Sequence, residues 1–580
     1  MLKTFWTYIK KHPVVYGIAT FFALLSSVLA IMPNLMIQRF IDAIVDQTLA
    51  KENLWVYLIT FLISIICIYV VDVIWVITLF GQSYRYQSEL RKKVYQKLLH
   101  LRTPFYEKFR SGDLMTRMTS DIDYLGDTIG YGFMLIVSNV TWTISVLTIM
   151  IITTSWKAAL VSVLPLILFG YIVFKLWTKI DVLYEDNRDS VAKLSNEVLE
   201  MVDGVRVMRA YGKKDLEQER FQKRTSQVLK KANNLVVYNG VIAQIAKLLT
   251  GLSMGVGLTY SGFLVSQGQM TLGQLIAFQI YLGMLSGAVW GLSDIVLVYQ
   301  QGNVSFRKIE ELLTAEDTLE KSGSLVVEKI EQIDFEDYMF KYPTSEAVTL
   351  KTIDFHLKCG ETLGIVGKTG SGKTTLVKQL LRQYPVGETG AIRINGRLIQ
   401  DYDMKALEGL IGYVPQEHIL FSKTVGHNIR FGNPLAGEED MSEAIESADF
   451  SKDLDRMSEG LATLIGEKGV SISGGQKQRV SIARALIRQP DLLVLDDSLS
   501  AVDAKTERAI INNIQEIRQD KTNVIVTHRL SAVAEADKVL VLEDGKIVEA
   551  GTPSELLANK GWYYNQYMTQ QMEVKENENI

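Results

Sequence analysis

Cysteine is almost missing from this chain: Cys67 and Cys359 are the only two in 580 residues. One sits in an apolar run and the other just ahead of a glycine-rich loop. Neither spacing suits a zinc site or a disulfide framework. A dominant charge of one sign is missing too. The net charge is −4, which gives no support for nucleic-acid binding, whose phosphate contacts need a concentrated basic surface. No small-residue cleavage site follows the basic, aromatic N-terminus, Met1–His12. The first apolar run therefore reads as a retained span rather than a signal peptide. Apolar residues are plentiful at 48%, and the mean hydropathy is positive, which is unusual for a soluble enzyme. The length allows two or three domains, each burying its own core.

The apolar content is concentrated in the first 300 residues. Pro13–Gln38, Thr128–Trp156 and Ala158–Phe174 carry no charge, Leu54–Tyr84 carries only Asp72, and Leu248–Ser293 is 46 uncharged residues long. Crossing the hydrocarbon takes about 20 residues, so the last run is two spans joined by a hairpin at Ser266–Thr271. Six spans result, near 14–36, 54–80, 130–154, 157–178, 241–265 and 272–298. The connections 81–129 and 178–235 carry nine and twelve Lys or Arg. The remaining connections carry two or fewer, so the basic ones are assigned to the cytoplasm, with both termini.

Those basic connections are poor in Gly and Pro and mix apolar with charged residues at helical spacing. They read as helical extensions of the spans, turning back at Ser111-Gly112-Asp113 and at Tyr211-Gly212-Lys213. Met1–His12 reads as an interfacial helix with Phe5, Trp6 and Tyr8 toward lipid. From about Gly323, short β runs alternate with helices, the mark of an α/β domain. The clearest strands are Ile353–Leu357, Thr362–Val366, Ala391–Ile394, Leu492–Leu495, Asn523–Thr527 and Lys538–Leu542. The expected organisation is an all-α six-helix transmembrane domain over 1–310, a linker over 311–322, an α/β P-loop domain over 323–571 and a disordered tail over 572–580.

Gly367-Lys368-Thr369-Gly370-Ser371-Gly372-Lys373-Thr374 matches the P-loop and directly follows the strand Thr362–Val366. Its glycines let backbone N–H groups approach a triphosphate, and the next helix, which takes in Thr375, offers its positive N-terminus. Lys373 is expected on the β- and γ-phosphates, and the Thr374 hydroxyl on Mg²⁺. The apolar run Leu492–Leu495 ends in Asp496-Asp497, which places Asp496 to hold that ion.

Ser473-Gly474-Gly475-Gln476, followed by Lys477-Gln478-Arg479, resembles the signature of ATP-binding cassettes. With it the sequence is similar, over nearly its whole length, to ABC exporters whose membrane and ATPase portions are fused, ATPase last. The resemblance implies ATP and Mg²⁺ as cofactors and a second half-transporter as partner. In that family the signature clamps the γ-phosphate held by the opposite subunit. It further implies that Tyr342 stacks on adenine, Gln416 reports on the membrane domain and joins the Mg²⁺ site, Asp503 crosses the dimer, and His528 touches the γ-phosphate. Gly466-Glu467-Lys468-Gly469 looks like the export-specific coupling loop, and Ser111–Ile122 and Val205–Phe221 like coupling helices. The cassette looks most similar to the first halves of bacterial heterodimeric multidrug exporters, the LmrC, BmrC and EfrC kind.

One position departs from the family pattern. A Glu is expected after the magnesium-site Asp, as general base for the attacking water, and this chain has Asp497. One methylene fewer leaves the carboxylate roughly 1.3–1.5 Å short, and general-base geometry tolerates little misplacement. The resemblance then implies a degenerate ATP site in this chain, with an intact signature completing the partner's site. Homodimeric lipid or peptide export, or an ATP-gated channel or regulator, remains open from sequence. The expected setting is the cell membrane, with hydrophobic or amphipathic cargo. Asp72 and Asp294 are intramembrane acids that either attract cationic cargo or serve as a helix cap or as partners of a base such as Lys247. Trp142, Trp290, Tyr281 and Met284 either line an apolar cavity or face lipid.

Overall fold

The computed structural model describes residues 1–49, 51–109, 111–316, 322–387, 389–466, 472–500 and 502–578. They fall into two compact units: Met1–Leu99 with Gly112–Ala315, and His100–Ser111 with Glu316–Ile580.

The first unit is helical throughout its described residues. Five helices are long and apolar enough to cross a membrane: Pro13–Val45, Leu54–His100, Ser111–Thr153, Trp156–Leu176 and Lys214–Ser266. The sixth expected span falls in the helix Leu272–Thr314, whose portion Leu272–Ala288 is apolar. The helices Lys51–His100, Trp156–Asp203 and Lys214–Ser266 hold 50, 48 and 53 residues. At 1.5 Å per residue each is about 70–80 Å long, more than twice the hydrocarbon thickness. Local chemistry sets the turns between them. Gly212 at φ 61° and Gly268 at φ 68° take left-handed conformations that a side chain resists. Thr271 and Gln274 then form a reciprocal capping box that starts Leu272–Thr314.

Three expectations need correcting. The N-terminal helix, Leu2–Lys11, does not turn its aromatic residues to lipid together. Phe5 and Tyr8 are buried against Tyr86, and Gln82 Nε2 donates to the Tyr8 hydroxyl at 2.8 Å, so only Trp6 of the three is exposed. A phenol finds its hydrogen-bond partner inside the protein, and its ring follows. The first of the two basic connections does not reverse at Ser111–Asp113, which lies inside the helix Ser111–Thr116. It reverses earlier, around the short helix Thr103–Lys108, with Pro104 in its first turn where no donor is lost. Finally, the last helix runs Trp562–Glu578, through the tail expected to be disordered. Nothing between Gln571 and Glu578 is a Gly or Pro that would stop it.

The second unit carries two sheets. Strands β1 (Gln332–Lys341), β2 (Val348–Lys358), β4 (Thr389–Ile394) and β5 (Arg397–Leu398) form an antiparallel sheet in the order β2-β1-β4-β5. The central sheet has the order β10-β9-β3-β8-β7-β6, with β3 Thr362–Gly367, β6 Ile411–Val414, β7 Leu492–Asp496, β8 Thr522–Val526, β9 Lys538–Glu543 and β10 Lys546–Gly551. All its pairs are parallel except β9 with β10. Strands β3, β7 and β8 are buried at every residue, as expected for parallel strands covered on both faces. Each of the six strand runs read from the sequence overlaps one of these strands, with Asn523–Thr527 running one residue past the end of β8.

Candidate nucleotide site

The site forms where β3, β7 and β8 end side by side, the usual place for a ligand in an open parallel sheet. β3 ends at Gly367, whose φ is 147° and whose added Cβ would stand 2.2 Å from the Leu542 carbonyl oxygen. Gly370 and Gly372 follow at φ 83° and 103°, and the helix Lys373–Leu380 begins directly after. The loop is therefore wound so tightly that glycine is required at Gly367 for both space and conformation. Within the loop, Lys368 is paired with Glu543 at 3.1 Å, while Ser371 is buried.

Lys373 Nζ donates to the carbonyls of Gly367 and Lys368 at 2.8 and 2.9 Å. Burial lowers its pKa from the ordinary lysine value, while Asp497 and Asp496 oppose that shift. The ammonium is thus partly desolvated and held by carbonyls that an anionic ligand can replace. Beside it, Thr374 Oγ1 donates to Asp496 Oδ1 at 3.1 Å, the Tyr413 hydroxyl also bears on this carboxylate, and its Oδ2 is buried. Burial raises the Asp496 pKa, against the Thr374 hydrogen bond. A buried carboxylate next to a threonine hydroxyl is a hard-oxygen donor set that fits Mg²⁺.

Asp497 follows at φ 46°, left-handed for a non-glycine residue. Its two oxygens face different neighbours: His528 Nδ1 lies 2.9 Å from Oδ1, and Gln416 Nε2 donates to Oδ2 at 3.4 Å. Tyr342 shares a hydrogen bond with the Thr375 hydroxyl at 3.0 Å and stands edge-on to Tyr384, with centroids 4.9 Å apart. The fold thus gathers Tyr342, residues 367–375, Gln416, Asp496, Asp497 and His528 in one place.

Other expected residues lie elsewhere. Ser473 and Gln476 form a capping box at the start of the helix Gly474–Leu486, and Gln476 Nε2 donates to Asp453 at 3.2 Å. Asp503 caps Ala504–Ile517, and hydrogen bonds led by the Thr506 hydroxyl lower its pKa. Among the described residues, no hydrogen bond joins 473–476 or Asp503 to the P-loop. Residues 467–469 of the expected coupling loop lie outside the described residues.

In the helical unit, Asp72 is half-buried and accepts from Ser26 Oγ at 2.6 Å and Trp75 Nε1 at 3.1 Å. Among the described residues it forms no ion pair and caps no helix. Asp294 is exposed, with no hydrogen bond or ion pair among the described residues. Tyr281 is fully buried, and Trp142 Nε1 donates to the Met284 carbonyl at 3.3 Å, so these three pack into the unit's core. The Trp290 side chain lies outside the described residues.

Residues 16–289 match the model of the ABC transporter transmembrane region, and residues 350–500 that of the ABC transporter ATPase, described simply as ABC transporter. Over 577 residues the chain is 40% identical to the probable multidrug resistance ABC transporter ATP-binding/permease protein YheI of Bacillus subtilis (strain 168). That alignment covers 99% of this chain and 98% of the relative. The chain belongs to the ABC exporter family. It is also 30% identical over 548 residues to the multidrug resistance-like ATP-binding protein MdlA of Escherichia coli (strain K12), covering 94% and 93% of the two chains. The structure of a bacterial Atm1-family ABC exporter with ATP bound superposes with a TM-score of 0.84 over 97% of this chain and 99% of the other. At 23% identity that likeness shows the shared fold. This ABC exporter is a multi-pass membrane protein whose cassette binds ATP and couples its hydrolysis to transport.

Sequence reasoning missed one contact of this exporter. The segment 100–111 belongs to the ATPase unit, where the Tyr384 hydroxyl donates to Glu107. Thr103–Lys108 is thus an element of the ATPase unit itself. The aromatic cluster Phe105, Tyr106 and Phe109 was the available signal.

Proposed function

We propose that this exporter is one half of a heterodimer that moves hydrophobic or amphipathic compounds out of the cytosol or inner leaflet. In this reading the chain's own ATP site binds nucleotide but hydrolyses it slowly, and Ser473–Gln476 completes a competent site on the partner. The observation that carries it is Asp497. Its short carboxylate is shared between His528 and Gln416, and a general base must reach a water beyond them within hydrogen-bond distance. The separation of 473–476 from the P-loop supports a site completed by a second subunit. The names of the relatives, multidrug resistance ABC transporter and multidrug resistance-like protein, support the cargo class.

The Mg²⁺ ion would be held by Thr374 and Asp496, with Gln416 alongside, and would neutralise phosphate charge. Both termini and the ATPase unit are cytoplasmic in this reading, on the strength of the basic connections 81–129 and 178–235. Cargo contact falls to Asp294 rather than Asp72, because the Asp72 carboxylate is already engaged by Ser26 and Trp75.

Copurification tests the assembly: a second half-transporter carrying Glu at the position of Asp497 and an altered signature is the expected companion. In that complex, Asp497→Glu changes the hydrolysis rate by activating the second site. A complex made only of copies of this chain, hydrolysing and transporting, overturns the reading.

A further inference from the structure

The closing helix, Trp562–Glu578, reaches the nucleotide site through one side chain. Strand β8 ends at Val526, and its last ladder-like bond runs from the Thr527 N–H to the Ile365 carbonyl at 3.1 Å. Beyond that point the main chain around His528 leaves the sheet, before the turn Leu530–Val533. There the Gln570 amide takes over. Its Nε2 donates to the His528 carbonyl at 2.8 Å, and its Oε1 accepts from the Leu530 N–H at 2.9 Å. One side chain thus satisfies both main-chain groups flanking Arg529, as a neighbouring strand would.

The helix that carries Gln570 is itself anchored. The Glu549 carboxylate accepts from the N–H groups of Trp562 and Tyr563, and the Tyr563 ring is 1% exposed. Gln570 therefore sits on a fixed support, eight residues along from an anchor. The carbonyl it holds belongs to the residue whose imidazole meets Asp497 at 2.9 Å.

We infer that Gln570 is a positioning residue, which sets the His528 imidazole for the terminal phosphate of the nucleotide. This rests on the reading of His528 as a group that faces that phosphate. The C-terminal helix is then part of the nucleotide site, although no P-loop, signature or strand motif includes it. Because a terminal phosphate is present in ATP and absent from ADP, the clamp acts on one nucleotide and not the other.

Binding of MgATPγS and MgADP to the purified full-length chain tests this, with Gln570→Leu, Gln570→Glu and His528→Ala. Gln570→Glu keeps the size and the acceptor for Leu530 but loses the donor to the His528 carbonyl. Both Gln570 variants are expected to raise the Kd for MgATPγS roughly fivefold, the worth of about one net hydrogen bond, and to leave MgADP within about twofold. Adding Gln570→Leu to His528→Ala is expected to cost no further affinity, because the clamp works through that imidazole. Equal weakening of both nucleotides, or a Gln570→Glu variant that binds as the unaltered protein does, overturns the clamp. Weak MgATPγS binding by His528→Ala beside a silent Gln570→Leu overturns the clamp and leaves His528 in place. A silent His528→Ala overturns the reading beneath it.

Discussion

Two charged side chains in the site, Asp496 and Lys373, sit in surroundings that favour their neutral forms. Burial raises the Asp496 pKa and lowers the Lys373 pKa. With a raised folded pKa, Asp496 binds more protons in the folded than in the unfolded chain as pH rises from the ordinary Asp range to the raised value. Its contribution to stability falls across that window, and its ionised form is a cost at neutral pH. Asp496→Asn is therefore expected to leave the melting temperature of the nucleotide-free protein unchanged or higher at pH 7. The same variant is expected to lose the part of the ATP-induced thermal shift that depends on Mg²⁺. A clear drop in melting temperature without nucleotide would contradict this account of Asp496. The linear sequence identifies these residues through motif spacing. It does not report that Asp72 is engaged by Ser26, 46 residues away, or that Tyr8 turns inward to Gln82, because those pairings depend on which helix faces lie together.

The elements of the ATPase unit were legible where a single local rule governs them. The P-loop is one case: Gly367 and Gly370 both adopt positive φ, but only Gly367 has backbone in the way of a Cβ. Gly370→Ala is expected to cost on the order of 1–3 kcal/mol of strain and to keep measurable ATP binding. Gly367→Ala adds a clash with the Leu542 carbonyl and is expected to abolish binding, as titration calorimetry of the two variants would show. The signature is a second case, since Ser followed by Gln three residues on is a capping box whether or not a nucleotide is near. Ser473→Ala is expected to destabilise the helix Gly474–Leu486 by about 1 kcal/mol. Its effect on hydrolysis in the assembled transporter should exceed what that loss explains. An ATPase rate reduced only in proportion to folded protein would limit Ser473 to a cap. Strands β1, β6 and β10 were harder to read. β1 mixes exposed with buried positions, β10 alternates exposed with half-buried ones, and β6 is four residues long, so none offers a long apolar run.

At the scale of the molecule, the covalent chain leaves the helical unit at Leu99, forms Thr103–Lys108 within the ATPase unit, and re-enters the helical unit at Gly112. Tyr384, which packs against Tyr342 beside the nucleotide site, donates to Glu107 on that excursion. Tyr384→Phe keeps the ring and removes the bond. It is expected to preserve ATP hydrolysis in proteoliposomes while lowering transport per ATP consumed; equal losses of both would contradict a coupling role. The two-unit division was legible in the change from long uncharged runs to short alternating ones. The excursion left only a local trace, Pro104 and the aromatic residues Phe105, Tyr106 and Phe109, and which unit those rings pack into depends on contacts far away in sequence. The central claim concerns the shortened carboxylate at Asp497. Steady-state ATP turnover by the purified full-length chain alone, beside its Asp497→Glu form, tests it most directly. The account predicts slow turnover by the unaltered chain and a gain of at least about tenfold with Glu, within the range of general-base catalysis. Brisk turnover by the unaltered chain, unchanged by Glu, would contradict it.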